Sequence, residues 1–144
     1  MSWTYTRRVK YYETDRMGVV HHSNYLRLIE DARMDWLNDN VMNYCEMEHK
    51  GIIIPAASAY GEFISFLHYD DPFSVEIKLI EFKGIKMTFS YVVRNTDTDV
   101  SCYKGKSSHF FACGNSDVGY KPFLSFRKKY PEIYEKVKSF VEEE

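Results

Sequence analysis

The order of local patterns along the chain predicts an α+β fold in which a curved antiparallel sheet wraps one long central helix, with a further helix at the C-terminus. Three observations carry that prediction. Apolar and polar residues alternate near the N-terminus, an apolar stripe at helical spacing follows between Tyr25 and Leu37, and four stretches rich in β-branched and aromatic residues come after it. A helix with one apolar stripe must bury it against something, and the strands are the only cover the chain offers.

Each element has its own warrant. From Trp3 to Tyr11 the residues fall on two faces, with Trp3, Tyr5, Arg7, Val9 and Tyr11 on one, which predicts a strand. After Gly18, the residues Tyr25, Leu28, Ile29, Ala32, Trp36 and Leu37 recur at helical spacing, with a cap expected at Ser23 or Asn24 and fading by Asn38-Asp39-Asn40. A second short helix is expected across Met42 to Lys50, stopped by Gly51. Strands are predicted over Ile52 to Phe66, Phe73 to Phe82, Lys86 to Arg94 and Val100 to Cys113. The breaks between and after them are Asp70-Asp71-Pro72, Lys83-Gly84, Asn95-Thr96-Asp97 and Gly114-Asn115-Ser116-Asp117, and their shortness suggests a meander. Past Pro122 the pattern turns helical, with Pro131 suited to a first helical position and Ile133, Tyr134, Val137, Phe140 and Val141 on one face; Glu142-Glu143-Glu144 should fray.

Composition excludes several classes of function. A chain of 144 residues reads as one domain, 1–144, large enough to hide roughly 68–70% of its unfolded surface. With 44% apolar and 17% aromatic residues it lies outside the disordered regime. A net charge of −2 with scattered Lys and Arg offers no footprint for nucleic acid, and Arg127-Lys128-Lys129 reads as a solvated face. No apolar run approaches the ~18 residues a membrane span needs and no signal-peptide pattern opens the chain, so a cytoplasmic protein is expected. The cysteines Cys45, Cys102 and Cys113 are odd in number and lack zinc spacing, and are read as reduced, buried thiols.

The densest chemistry sits at the turn from the first strand into the long helix, Tyr12 to Tyr25. Within it Asp15, Gly18, His21, His22 and Asn24 crowd together. A carboxylate beside the free N–H groups of a helix start is the arrangement that attacks a carbonyl and holds its oxyanion. Each residue also has a purely structural reading: an Asx turn for Asp15, a tight turn for Gly18, a cap for Asn24. No metal is expected, because adjacent side chains such as His21 and His22 tend to diverge and the chemistry requires none. Glu30 and Arg33 are three apart on the helix and read as a structural pair.

The run Glu13-Thr14-Asp15-x-x-Gly18-Val19-Val20-His21-His22-Ser23-Asn24-Tyr25, followed by Glu30-x-Ala32-Arg33, resembles the signature of hotdog-fold acyl-CoA thioesterases, in the 4-hydroxybenzoyl-CoA thioesterase and YbgC-like branch. Weaker echoes continue in Gly51-Ile52-x-x-Pro55, Tyr69-Asp70-Asp71 and Ser108-x-Phe110. The resemblance implies hydrolysis of an acyl-CoA thioester in a homodimer or homotetramer with sites at the subunit seam. It assigns the catalytic carboxylate to Asp15 and the polarising backbone N–H to His22, and places Gly18, Val19, His21, Asn24 and Tyr25 along the substrate. No cofactor is implied, coenzyme A being part of the substrate, and an acyl carrier protein could deliver the acyl group instead. His21 stands where many relatives carry Tyr, and Phe66-Leu67 where many carry Pro-Ala, departures that bear on acyl preference. Two rivals remain open: a hotdog module that binds acyl-CoA or acyl carrier protein without turnover, and a hydratase or dehydratase, whose Gly- and Pro-rich loop does not follow these histidines.

Overall fold

Strand β1 (Trp3–Arg8) alternates half-buried and exposed residues, but the strand stops short of Tyr11. Tyr11–Glu13 instead form one 3-10 turn and Tyr11 is exposed, because the Thr14 and Glu13 N–H groups turn back to the Tyr11 and Lys10 carbonyls rather than to a neighbouring strand. This is a computed structural model, describing residues 3–115, 117 and 119–144.

Helix α1 (Asn24–Asn40) buries Tyr25, Leu28, Ile29, Ala32, Trp36 and Leu37, the stripe expected from spacing. Trp36 lies edge-on to Phe89 at 5.2 Å and to Phe140 at 5.6 Å between ring centroids. A buried Leu or Ile of such a stripe contributes roughly 1.5–3 kcal/mol by leaving water. Helix α2 (Tyr44–His49) is capped by Asn43, whose side chain accepts from the Cys45 N–H, and it ends at Gly51, where φ is +82°.

Strands β2 (Ala56–Phe63), β3 (Pro72–Lys83), β4 (Lys86–Asn95) and β5 (Val100–Phe110) complete a five-stranded antiparallel sheet ordered β1-β3-β4-β5-β2. The meander therefore holds only for β3 to β5. β2 pairs with β5 and forms the outer edge, its residues largely exposed. One face of the sheet carries Phe73, Val75, Ile77 and Leu79 on β3 and Met87, Phe89, Tyr91 and Val93 on β4, all buried in one cluster with the α1 stripe.

Between helix and sheet runs one polar line. Arg33 donates to the Tyr91 hydroxyl at 3.2 Å, Tyr91 meets Ser107 Oγ at 2.5 Å, and Ser107 meets His109 Nε2 at 2.7 Å. His109 is 1% exposed and among the described residues its Nδ1 has no partner. Burial, and secondarily the Arg33 charge, push its pKa down to about 3, so the ring is neutral. Arg33 approaches Glu30 at only 4.0 Å, so its structural role is chiefly toward Tyr91.

Beyond β5 the chain departs from expectation. β6 (Ala112–Asn115) and β7 (Gly119–Pro122) form a small hairpin where sequence suggested a turn, of which Ser116 lies outside the described residues. Helices α3 (Phe126–Lys129) and α4 (Pro131–Lys138) follow, with Pro131 in the first turn of α4. Val141 lies past the helix, and the terminal glutamates are docked: Glu142 N–H donates to Leu79 O at 2.8 Å and Glu144 pairs with Lys106 at 2.5 Å. Cys45 is exposed rather than buried, since it lies on the outer side of α2, whereas Cys102 is buried.

Candidate active site

The backbone at the mouth of α1 is a doubly anchored loop. Thr14 and Val20 pair as in an antiparallel ladder, Asp15 N–H donates to Val19 O at 2.8 Å, and Gly18 N–H returns to Asp15 O at 3.0 Å. The four residues from Asp15 to Gly18 thus form a tight turn, made possible by Gly18 at φ +81°. On its other side the loop is fastened to the 67–68 segment, by Val20 N–H on Leu67 O at 2.8 Å and by the Val19 and His68 pairing.

Asp15 sits half-buried at the head of this turn. Its Oδ1 accepts from the Met17 N–H at 2.8 Å, an Asx turn, while among the described residues Oδ2 has no donor. The helix start supplies the second half of the site. Asn24 and Tyr25 N–H groups turn back to His21 O at 2.8 Å and His22 O at 3.3 Å, and His21 N–H donates to Glu13 O at 2.9 Å. Ser23 N–H donates to His21 Nδ1 at 3.2 Å. Among the described residues the His22 N–H alone in this run donates to nothing, and it belongs to the turn leading into a 17-residue helix.

The remaining residues expected along the substrate divide into two groups. Gly18 and His22 are exposed and His21 is half-buried. His21 Nδ1 accepts from both the Ser23 N–H and the Ser23 hydroxyl, at 2.8 Å from Oγ, which leaves the ring proton on Nε2. Contrary to the expected divergence, the His21 and His22 rings lie 4.2 Å apart, because the backbone turns rather than extends between them. Among the described residues no group of three His, Cys, Asp or Glu could hold a metal. Val19, Asn24 and Tyr25 are buried. Asn24 does not act as an accepting cap: its Nδ2 donates to Glu13 O at 2.8 Å, tying the helix to the loop. Tyr25 stacks on Tyr103, and burial pushes its phenol up to about 12.

Sequence reading missed the brace behind the loop. Glu13, 4% exposed, receives two bonds of 2.7 Å from the Arg7 guanidinium and one of 2.8 Å from the Lys10 N–H. Burial alone would push the Glu13 carboxyl up, but the Arg7 and Lys10 hydrogen bonds and the Arg7 charge outweigh it and hold it below the ordinary carboxylate value. Because the Glu13 carbonyl receives both His21 N–H and Asn24 Nδ2, this one residue fixes the loop against the helix mouth. The available signal was Arg7, a charge on the otherwise apolar face of β1.

Around the loop lies exposed apolar surface: Tyr11, Tyr12, Met17, Phe63, Phe66 and Tyr69 are each more than half exposed. His22 meets Phe63 edge-on at 6.2 Å, and Phe63 in turn touches Tyr25 and Tyr103 at 5.5 and 5.6 Å.

A profile of the Thioesterase-like superfamily matches residues 9–140. A Bacillus subtilis protein provisionally named acyl-CoA thioesterase YneP is 34% identical over 133 residues, 90% of this chain and 93% of its own. The acyl-CoA thioesterase YbgC of Haemophilus influenzae is 31% identical over 91 residues, 62% of this chain and 67% of its own. The crystal structure of the DHNA-CoA thioesterase from Staphylococcus aureus superposes with a TM-score of 0.84 at 23% identity, covering 96% of this chain and 91% of that one. The fold is the hotdog fold, and the chain belongs to the thioesterase-like superfamily.

Proposed function

We propose that this protein hydrolyses acyl-CoA thioesters to the free acid and CoA, with Asp15 as nucleophile or general base and the His22 N–H as oxyanion donor. The observation that carries the reading is a pair of groups on one braced loop that have no partner among the described residues, Asp15 Oδ2 and the His22 amide, while the N–H groups of Asp15, Met17, Gly18, Val20, His21, Ser23, Asn24 and Tyr25 are engaged. A thioester carbonyl held by the amide gains negative charge on oxygen as its carbon is attacked. A backbone donor aided by the helix dipole stabilises that charge, and loss of one such donor in other hydrolases costs on the order of 10²–10³ in rate. Asp15 either attacks the carbon, giving an anhydride that water opens, or takes the proton from an attacking water. In both routes the CoA thiolate leaves and no metal or organic cofactor enters.

Gly18 keeps the turn open to the thioester, and His21, tethered through Ser23, borders it. We further propose a cytoplasmic homodimer or homotetramer whose seam covers the exposed β2 edge and the aromatic surface near the loop, with CoA rather than acyl carrier protein presenting the acyl group. Multi-angle light scattering that returns a single 17.1 kDa chain at micromolar concentration would refute the assembly.

The decisive test of the chemistry is Asp15→Asn, since the amide oxygen of asparagine can still accept from the Met17 N–H and preserve the turn. Thiol release from an acyl-CoA panel should fall by a factor of at least 10² while the melting temperature stays put. Unchanged turnover sinks the role given to Asp15. The rival reading, a binder without turnover, predicts no thiol release from the unaltered protein.

A further inference from the structure

The connection from β7 into α3 holds one large apolar side chain clear of the rest of the molecule. Phe123 and Phe126 turn inward, at 8% and 1% exposure, and lie 5.2 Å apart between ring centroids, with Phe126 stacked on Phe111 at 4.1 Å. The Phe123 N–H is fastened to the Phe111 carbonyl at 3.3 Å. Anchored by both rings, the chain between them presents Leu124 outward at 105% relative exposure, as open as in an extended peptide. A lone exposed leucine is ordinary, so its surroundings decide what it means.

Those surroundings are cationic. Lys121, Lys128 and Lys129 are exposed and, with Pro122, Phe123 and Leu124, line a groove of about 490 Å³. Lys129 Nζ stands 5.7 Å from the Phe123 ring and 5.8 Å from that of Tyr130, which keeps its charge over the groove wall. Among the described residues none of the three lysines has a carboxylate within ion-pair reach, whereas Arg127 is engaged by the Tyr134 ring at 5.3 Å and by Glu135 at 3.9 Å. Residues 119–140 hold six Lys and Arg against two Glu, a local charge of +4 in a chain of −2, so cations are gathered here rather than spread. The Arg127-Lys128-Lys129 run is thus one rim of a feature that is basic and apolar together.

We propose that this corner is a docking surface for an anionic phospholipid bilayer, with Leu124 inserted among the acyl chains and Lys121, Lys128 and Lys129 set on the lipid phosphates. The complementarity is of charge and of depth. A leucine standing proud of the surface and ringed by ammonium groups matches an interface that is apolar within and anionic at its face. An acidic protein is the poorer match, because it needs a seat that shuts water out, and Leu124 is open on every side while lysines fix no bidentate geometry. A bilayer asks for neither. Such attachment is peripheral and reversible, in a chain where no described helix is long and apolar enough to cross a membrane. Burying one leucine side chain changes partitioning by roughly 10- to 100-fold and each lysine at an anionic surface by about fivefold, so three lysines separate anionic from neutral vesicles by on the order of 100-fold. This surface shares no residue with the Asp15 loop, and the inference does not rest on the thioesterase reading.

The test is sedimentation of the full chain with sucrose-loaded vesicles of phosphatidylglycerol and phosphatidylcholine in equal parts, against phosphatidylcholine alone, at about 0.1 M salt, where the screening length is about 10 Å. The unaltered protein should partition onto the anionic vesicles roughly 30-fold better or more. Leu124→Ser should lower that partitioning about tenfold, and Lys121→Gln, Lys128→Gln and Lys129→Gln combined should remove the preference for anionic lipid. All four side chains are exposed, so the melting temperature should hold. Leu124→Trp should gain a blue-shifted emission on addition of anionic vesicles that the unaltered protein does not show. Equal partitioning to the two vesicle types, or none to either, overturns the inference. So does a Leu124→Ser variant that binds anionic vesicles undiminished, since the lysines then form an anion site only, one that millimolar inorganic phosphate should empty. Retention on immobilised poly-glutamate as strong as on anionic vesicles would identify an acidic protein as the partner and is equally fatal. Thiol release from a soluble acyl-CoA should be the same in all these variants, so failure of the docking surface and failure of the catalytic reading are told apart.

Discussion

Replacing Glu13 by alanine tests the brace from which the site's geometry follows. The carboxylate receives three hydrogen bonds and its side chain is 5% exposed, so it is well out of water. Removing one partner of a buried ion pair costs about 3–5 kcal/mol, because the other charge is stranded. Here Arg7 retains Asp31 at 3.4 Å, the Arg8 carbonyl at 3.0 Å and 18% exposure, which places the expected loss near the lower limit, about 3 kcal/mol. For a chain of this size that lowers the melting temperature by roughly 6–12 °C. Urea unfolding with an unchanged m-value is the assay. Since the folded carboxyl is held below its ordinary value of 4.5, the pair's contribution is complete above that pH and disappears as pH falls through the lower folded value. The gap between the two proteins should accordingly close in acid. Glu13→Leu combined with Arg7→Met should recover most of the stability, since neither charge is then left alone, yet not the activity, if Glu13 holds Asp15 and the helix mouth in register. A Glu13→Ala protein within about 0.5 kcal/mol of the unaltered one would refute the reasoning.

Other perturbations follow from the same geometry. Gly18→Ala meets no atom within 4 Å but forces a side chain into φ +81°, so it should cost about 1–2 kcal/mol in urea unfolding and slow turnover by loosening the Asp15 turn. His109 binds no proton in the folded chain between its value of about 3 and the ordinary 6.5, whereas the unfolded chain does. Stability should hence rise with pH across that window, by up to about 1.4 kcal/mol per unit from this group, and comparing unfolding of His109→Gln with the unaltered protein at pH 5 and 7 should show the slope reduced. Leu28→Ala, at a fully buried position of the α1 stripe, should lose about 2–5 kcal/mol in the same assay. Protein treated with a chelator and desalted should keep its thioesterase turnover; loss restored by a divalent cation would contradict the cofactor-free route.

The parts of this fold legible in the sequence are those set by short-range physics. The α1 stripe, the Gly51 stop and the Pro131 start follow from side-chain period and backbone chemistry within a few residues. β2 is different. Nothing between Ile52 and Phe66 says that its partner is β5, some 45 residues on, rather than β3 next door, because pairing partners are chosen by the whole sheet's packing. The same holds for the site. Asp15, Gly18 and His22 announce themselves as a cluster in ten residues. The Arg7 and Glu13 pair is legible only as a charge on an apolar face. Asn24 misled because its usual duty as a cap is local, while its actual partner, the Glu13 carbonyl, lies eleven residues back.

The two readings of Asp15, turn-former and catalytic carboxylate, are not rivals in this geometry. An Asx turn uses one oxygen, Oδ1, and uses it against the Met17 N–H on the tip of the loop. Fixing that oxygen removes the carboxylate's freedom to rotate and so orients Oδ2, the oxygen available for a carbonyl carbon or a water. A carboxylate on a flexible tip would have to lose that freedom at each turnover; here the loss occurs once, on folding, as in other preorganised sites. The Gly18 turn, the Val19 and Val20 anchors and the Glu13 brace serve the same end, holding one oxygen and one amide still while leaving both without a partner among the described residues. In the proposed mechanism the structural hydrogen bond orients the reacting oxygen, so asparagine, able to keep the first and unable to supply the charge, would separate the two contributions in a single substitution.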